Sequence, residues 1–140
     1  MTNKQIREAA ASIVERLLIA EGYDVSAGRR GYDLTARRSE AELHIEVKGA
    51  GGTVAGVGGF RYLTSGEFDV ARQDPHWEMW VVENLTKPEK AAVTTISRND
   101  VLAMCKMEIS WMLPMGAWCR ESWRPVDTKV AQDAAAEAIR

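Results

Sequence analysis

Two neighbouring segments in which apolar and polar residues alternate constrain the fold more than any other feature of this sequence. The segments are YDLTARR (32–38) and ELHIEVK (42–48), and only three residues separate them. Alternation with a period of two is typical of β-strands, and so short a connection is typical of a hairpin. In a hairpin centred between Ser39 and Glu40, the numbers of directly opposed residues sum to 79.

This register sorts the side chains of the predicted hairpin onto an apolar face and a polar face. The apolar pairs are Leu34 with Ile45 and Ala36 with Leu43, and the polar pairs are Thr35 with His44 and Arg37 with Glu42. At the open end of the hairpin, Asp33 is predicted to face Glu46. Lys48 shares the face of Glu46 because side chains alternate along a strand.

The opposed carboxylates of Asp33 and Glu46 predict a metal site. Like charges that face each other cost roughly 0.2 to 1 kcal/mol in an ordinary sheet, and a divalent cation removes that cost. Two carboxylates and a backbone carbonyl, that of Val47, are the hard oxygen ligands that Mg²⁺ prefers and that Mn²⁺ also accepts. With Lys48 orienting a water molecule, such a site suits the hydrolysis of a phosphodiester.

Signals around the hairpin predict an α/β domain. GYD occurs both at 22–24 and at 31–33, but only Asp33 can lie opposite Glu46 in this register. The predicted elements are an amphipathic helix with Asn3 as its cap and Gly22 as its stop, a strand at 23–27, the hairpin, a glycine-rich loop at 49–59, a strand at 60–64, a helix from the Thr64 and Glu67 capping box to about Gln73, and a buried strand at 77–85.

Residues 1–140 are expected to form a single domain, with its core at about 4–85 and a C-terminal extension at about 90–140. The extension is predicted to contain strands at 92–97 and 108–113 and helices at 99–107 and 128–140.

Asp33 followed by Glu46-Val47-Lys48 resembles the site motif of the PD-(D/E)XK nuclease superfamily, the restriction-endonuclease-like fold. The segments GYDL, IEVKG, FRYLTSGEFDVA and WEMWVVENL are similar to the branch typified by the C-terminal domain of the NO VEIN protein. The resemblance covers roughly residues 5–85, and Tyr32 stands where the superfamily name has Pro. It implies an α/β fold with an αβββαβ core, in which helices flank a central mixed sheet.

The resemblance also implies a function, namely Mg²⁺-dependent endonuclease cleavage of DNA, with RNA left open as a substrate. Asp33 and Glu46 would be the metal ligands and Lys48 the catalytic lysine. Homodimers are implied as well, because cutting two strands takes two sites. The alternative is an inactive module of the same fold that binds nucleic acid or a protein partner, since the superfamily contains members that have lost activity.

Four further residues are accessory candidates. Glu15 lies on the first helix, where related nucleases often carry an acidic residue, although the helical wheel places it on the solvated side. Glu67 could support the site, but a capping box explains it equally well. Arg29 and Arg30 precede Asp33 and could contact phosphates, or could simply be exposed in a loop.

The charge balance bears on the choice between an enzyme and an inactive module. The net charge is −2, and residues 1–48 carry eight basic and eight acidic residues, without the basic excess typical of DNA-binding surfaces. The first 22 residues have charges throughout and no apolar run long enough for a signal peptide or a membrane span. A cytoplasmic protein without a membrane partner is therefore expected.

Overall fold

A computed structural model describes residues 1–53, 60–107, 111–115 and 123–139. Parts of the predicted glycine-rich loop and of the predicted strand at 108–113 lie outside these residues. The elements are α1 Asn3–Ala20, β1 Asp24–Ala27, β2 Leu34–Arg38, β3 Ala41–Gly49, β4 Phe60–Leu63, α2 Ser65–Gln73, β5 Trp77–Glu83, a 3₁₀ helix Pro88–Lys90, β6 Ala92–Ser97, α3 Arg98–Met104, β7 Lys106–Met107, β8 Trp111–Pro114, β9 Arg124–Pro125 and α4 Thr128–Ile139.

A mixed sheet of six strands, in the order β1-β2-β3-β5-β6-β9, forms the centre of the protein. Strands β3 and β5 are parallel and the other neighbours are antiparallel. The predicted α/β fold, with an αβββαβ core and a mixed sheet flanked by helices, is confirmed. Strand β4 is the exception to the simple order, because it pairs with β8 in a separate sheet of three strands.

The predicted hairpin register is confirmed at every pair of β2 and β3. The pairs run from Leu34 with Ile45 to Arg38 with Ala41, and each sums to 79. The turn closes at Ser39, whose φ of 53° is in the left-handed region that tight turns use. The observed pairs end at Leu34 and Ile45. Beyond them the Asp33 amide donates to the Ile45 carbonyl, so the predicted pair of Asp33 with Glu46 is not among the observed pairs.

The two faces of the sheet are covered by different helices. On one face, α1 and α4 bury Leu34, Ala36 and Ile45 in an apolar core. On the other face, α2 contributes Phe68 to a second core that includes Met79. Each large apolar side chain that is fully buried contributes about 1.5 to 3 kcal/mol. The polar face of β3 lies under α2, because Lys48 contacts Glu67 and His44 contacts Asp74, and it is not an open solvated surface.

The helix caps fix where α1 and α2 begin. The α1 cap is Thr2 and not the predicted Asn3, because the hydroxyl of Thr2 accepts a hydrogen bond from the Gln5 amide while the Gln5 side chain accepts one from the Thr2 amide. The predicted capping box of Thr64 and Glu67 is confirmed at the start of α2. Among the described helices, none has the length and apolar character that crossing a bilayer requires.

Candidate metal and active site

A surface cleft of about 910 Å³ lies at the end of β3, between the first turns of α1 and α2. All three predicted catalytic residues, Asp33, Glu46 and Lys48, line it together with Val47 and Glu67. The remaining lining residues are Asn3, Ile6, Arg7, Ala11, Gly49, Ala50, Gly51, Gly52, Thr53 and Thr64.

Lys48 lies between two carboxylates on the floor of the cleft. Its Nζ atom is 3.1 Å from Glu46 Oε1 and 2.9 Å from Glu67 Oε1. Glu46 is 4% exposed, whereas the side chains of Lys48 and Glu67 are 19% and 17% exposed. The alternation of β3 brings Glu46 and Lys48 to the same face, and the first turn of α2 presents Glu67 to them. Glu67 thus serves both as a capping residue and as a partner of the predicted catalytic lysine.

The buried cluster shifts the proton affinities of its members in opposite directions. Burial raises the pKa of Glu46 to about 9 against the opposing effect of Lys48, with Glu67 and Asp33 adding to the rise. Burial also raises the pKa of Glu67, but hydrogen bonds from Glu46 and the Thr64 amide and the Lys48 charge outweigh it, so the net shift is downward. Burial would lower the pKa of Lys48, yet Glu46 and Glu67 raise it overall. At neutral pH, Glu46 therefore carries a proton while Glu67 and Lys48 form an ion pair.

Asp33 is held at the open end of the hairpin by hydrogen bonds to β3. Its amide donates to the Ile45 carbonyl over 2.8 Å, and its Oδ2 atom accepts from the Val47 amide, also over 2.8 Å. The N–H and C=O groups of one strand residue point to the same side of the strand. The Val47 carbonyl therefore lies on the Asp33 side of β3, beyond the end of β2.

Gly28 sets the backbone position of Asp33. The Gly28 amide donates to the Asp33 carbonyl over 2.8 Å, which closes the loop between β1 and β2. A Cβ atom at Gly28 would lie 2.2 Å from the Tyr32 carbonyl oxygen and 2.5 Å from the Asp33 carbonyl carbon. Because both are backbone atoms, a side chain at position 28 would displace Asp33.

Gly28→Ala should lower the free energy of unfolding by about 1 to 3 kcal/mol, because the added methyl group forces this backbone apart. Gly52→Ala is the matched control, since a Cβ atom there would meet no heavy atom within 4 Å. Urea unfolding of both variants measures the difference. Equal stability of the two variants would contradict the account of how Asp33 is positioned.

Gly49, the last residue of the IEVKG motif, allows α1 to form one wall of the cleft. A Cβ atom at Gly49 would lie 2.9 Å from the Ala10 side chain and 3.1 Å from the Ile6 carbonyl oxygen. A larger residue would push α1 away from the end of β3. The glycine of the motif therefore serves close packing of a helix against a strand.

His44 shares a face of β3 with Glu46 and ties that face to the far end of α2. Its Nδ1 atom contacts the Asp74 carboxylate, and its ring stacks on Tyr32 with centroids 4.5 Å apart. Since Tyr32 precedes Asp33, the stacked pair holds the chain leading into the site. The role of His44 is structural.

The cleft contains oxygen atoms of the kind that hard divalent cations bind. Within the described ranges, no group of three or more His, Cys, Asp or Glu side chains is arranged to hold a metal ion. The oxygen atoms concerned are those of the Asp33 and Glu46 carboxylates and of the Val47 carbonyl. Mg²⁺ suits such a set, because it retains several water ligands and accepts one or two carboxylates from the protein.

The structure does not bring every predicted site residue to the cleft. Arg29 and Arg30 are exposed and do not line it. Glu15 is also exposed, and it borders a separate surface depression with Arg16 on the solvated side of α1. Of the accessory candidates, only Glu67 lies at the site.

Arg7 is a cleft residue that the sequence analysis missed. Asn3, Arg7 and Ala11 line the cleft from α1, and residues four apart lie on one side of a helix. This spacing is visible in the sequence. Which side of α1 faces the site, however, depends on the contact between Ala10 and Gly49.

The comparisons with known proteins give one match. Residues 4–96, which are 93 of the 140, match the family described as Protein NO VEIN, C-terminal. No curated protein and no solved structure matches the chain. The matched region contains the hairpin, α1 from its second residue, and every cleft residue except Asn3. The chain therefore belongs to the family of the NO VEIN C-terminal domain.

Proposed function

We propose that this protein is a metal-dependent nuclease of the PD-(D/E)XK type that hydrolyses phosphodiester bonds of DNA. The observation that carries the proposal is the Glu46 and Lys48 pair, with Nζ and Oε1 3.1 Å apart, in the same cleft as Asp33. Glu67 contacts the same ammonium, and Asp33 lines the same cleft. Strongly shifted titratable groups that gather in one cleft are typical of functional sites.

Asp33, Glu46 and the Val47 carbonyl would hold Mg²⁺, with Mn²⁺ as its substitute. When bound, the ion supplies charge stabilisation at the phosphate and makes a bound water more acidic. Glu46 has to release its proton before its carboxylate can bind a cation. Metal affinity should therefore rise with pH up to the pKa of Glu46, about 9.

Lys48 orients the attacking water and stabilises the negative charge that develops on the phosphate. Its contact with Glu67 keeps the ammonium in place and charged when Glu46 binds the cation. Glu67 is fixed in turn by the amide of Thr64, which donates to its Oε1 atom over 2.9 Å. Glu67 is thus a positioning residue for Lys48.

The proposal extends to the substrate and the assembly. DNA is the proposed substrate, because the resemblance implies it. RNA is to be assayed as the alternative substrate. A homodimer would place one site on each strand of a duplex. If the purified protein folds but cuts neither DNA nor RNA, an inactive module of the same fold explains the group of Asp33, Glu46, Lys48 and Glu67 better.

Wild-type protein should nick supercoiled DNA with Mg²⁺ or Mn²⁺ and should lose at least 99% of this activity on Asp33→Ala, because one of the two proposed carboxylate ligands is removed. Asp24→Ala is the matched control, since Asp24 belongs to the other GYD segment and is exposed on β1. Gel assays with each metal and with chelator measure the rates. Metal-dependent nicking that is equal in both variants would end this site assignment.

A further inference from the structure

Arg7 presents an exposed guanidinium group at the cleft. It lines the cleft on the first turns of α1, and no ion pair or hydrogen bond of its side chain to another described residue exists. Arg16, on the same helix, is instead 4.0 Å from the Glu137 carboxylate. An exposed arginine beside a candidate phosphodiester site can recognise a phosphate through several donors at once.

The segment that leaves β3 presents two backbone donors along the same cleft. The carbonyl of Gly51 accepts hydrogen bonds from the Thr86 amide and hydroxyl, and the carbonyl of Gly52 accepts one from the Asn84 amide. In a trans peptide, the N–H group points away from the carbonyl oxygen. The N–H groups of Gly52 and Thr53 therefore point away from the turn at 84–86, and neither donates to a described residue. Successive backbone N–H groups are the donors that bind anions in backbone nests.

The segment that leaves β3 lies close to the start of α1, which carries Arg7. A Cβ atom at Gly51 would lie 3.6 Å from Ile6 Cδ1, and one at Gly49 would lie 3.1 Å from the Ile6 carbonyl. Arg7 follows Ile6 in the chain, and Arg7, Gly52 and Thr53 line the same cleft as Lys48.

We propose that Arg7 and the N–H groups of Gly52 and Thr53 form a second phosphate subsite, which binds a backbone phosphate next to the phosphate being cleaved. The inference rests on the proposed function and names its substrate class. The substrate is a polynucleotide with at least two consecutive phosphates, not an isolated phosphodiester. Such contacts position the strand and carry no base specificity.

The test compares Arg7→Ala with Arg16→Ala on a short fluorescein-labelled DNA duplex and on bis(p-nitrophenyl) phosphate. Arg7→Ala should weaken duplex binding, measured by anisotropy with Ca²⁺, roughly tenfold, and should reduce the slope of log affinity against log salt by about 1. Its rate on bis(p-nitrophenyl) phosphate with Mn²⁺ should equal that of the wild type, because this compound has a single phosphate. Arg16→Ala should change neither the binding of the duplex nor the rate on bis(p-nitrophenyl) phosphate.

A second pair of variants tests the backbone donors. Gly52→Pro removes one N–H group, whereas Gly52→Ala keeps it and meets no neighbouring atom. Gly52→Pro should weaken duplex binding severalfold relative to Gly52→Ala, and urea unfolding of both checks that the fold is retained. If the two Gly52 variants bind the duplex equally well, the Gly52 amide is not part of the subsite.

The outcomes separate this inference from the proposed function. If the wild type cleaves DNA and Arg7→Ala behaves like Arg16→Ala, the subsite is wrong and the nuclease stands. If the wild type binds duplex through Arg7 without cutting, the subsite stands and the proposed catalysis falls. Absence of any duplex binding by the wild type would overturn both.

Discussion

Replacing Lys48 by Met should lower the rate of Mg²⁺-dependent cleavage about 100- to 1000-fold while leaving metal binding in place. Met has a similar length and no charge, so it removes the ammonium that contacts Glu46 and Glu67 without adding bulk. Groups that orient water or stabilise developing charge typically contribute this range of acceleration. Single-turnover cleavage of labelled DNA gives the rate of the chemical step.

The control for this change is Lys129→Met, which removes an exposed lysine that pairs with Asp133 on α4. It should retain the wild-type rate. Mn²⁺ calorimetry on Lys48→Met shows whether the ligands survive the substitution. A Lys48→Met variant that cuts at more than a tenth of the wild-type rate would remove Lys48 from the chemistry.

Replacing Glu46 by Gln should stabilise the protein at pH 8 while eliminating metal-dependent cleavage. Burial raises the pKa of Glu46 from its ordinary value of 4.5 to about 9. The native state therefore holds a proton that the unfolded chain releases, so stability falls as the pH rises from about 4.5 through about 9. Gln resembles the protonated acid and has no proton to lose. The gain should be about 1 to 3 kcal/mol at pH 8 and close to zero near pH 4.

Urea unfolding of wild type and Glu46→Gln at pH 4 and pH 8, with chelator present, measures this gain. Glu40→Gln serves as the control, because Glu40 is exposed in the hairpin turn. A Glu46→Gln variant that is no more stable than Glu40→Gln at pH 8 would mean that Glu46 is ionised without metal. The combination of higher stability and lost activity is expected where a fold keeps a costly buried carboxylate for its function.

The hairpin and its register could be predicted from the sequence because the signal is local. A period of two and a short turn leave one register that keeps Leu34 and Ile45 on the same face, and that register also places Glu46 and Lys48 together. The position of α2 over the polar face could not be read in this way. It depends on the contacts of Asp74 and Glu67 with β3, which are distant in sequence.

The roles of the accessory residues Glu67, Arg29 and Arg30 could not be predicted from the sequence. The capping box and the Lys48 contact use the same carboxylate of Glu67, so neither role could be ranked above the other. Arg29 and Arg30 are close to Asp33 in sequence, yet they do not line the cleft, whereas Arg7 on α1 does. The position of α1 at the cleft depends on the close approach of Gly49 to Ala10, a tertiary contact without a local pattern.

The most direct test of the central claim is calorimetric titration of the purified protein with Mn²⁺ at pH 7.5, in two buffers of different ionisation enthalpy. If Asp33 and Glu46 hold the ion, the wild type should bind Mn²⁺ with release of protons, since Glu46, with a pKa of about 9, must deprotonate. Asp33→Asn and Glu46→Gln should each abolish that binding. Absence of Mn²⁺ binding by the wild type, or binding by either variant that is as tight as that of the wild type, would contradict the account.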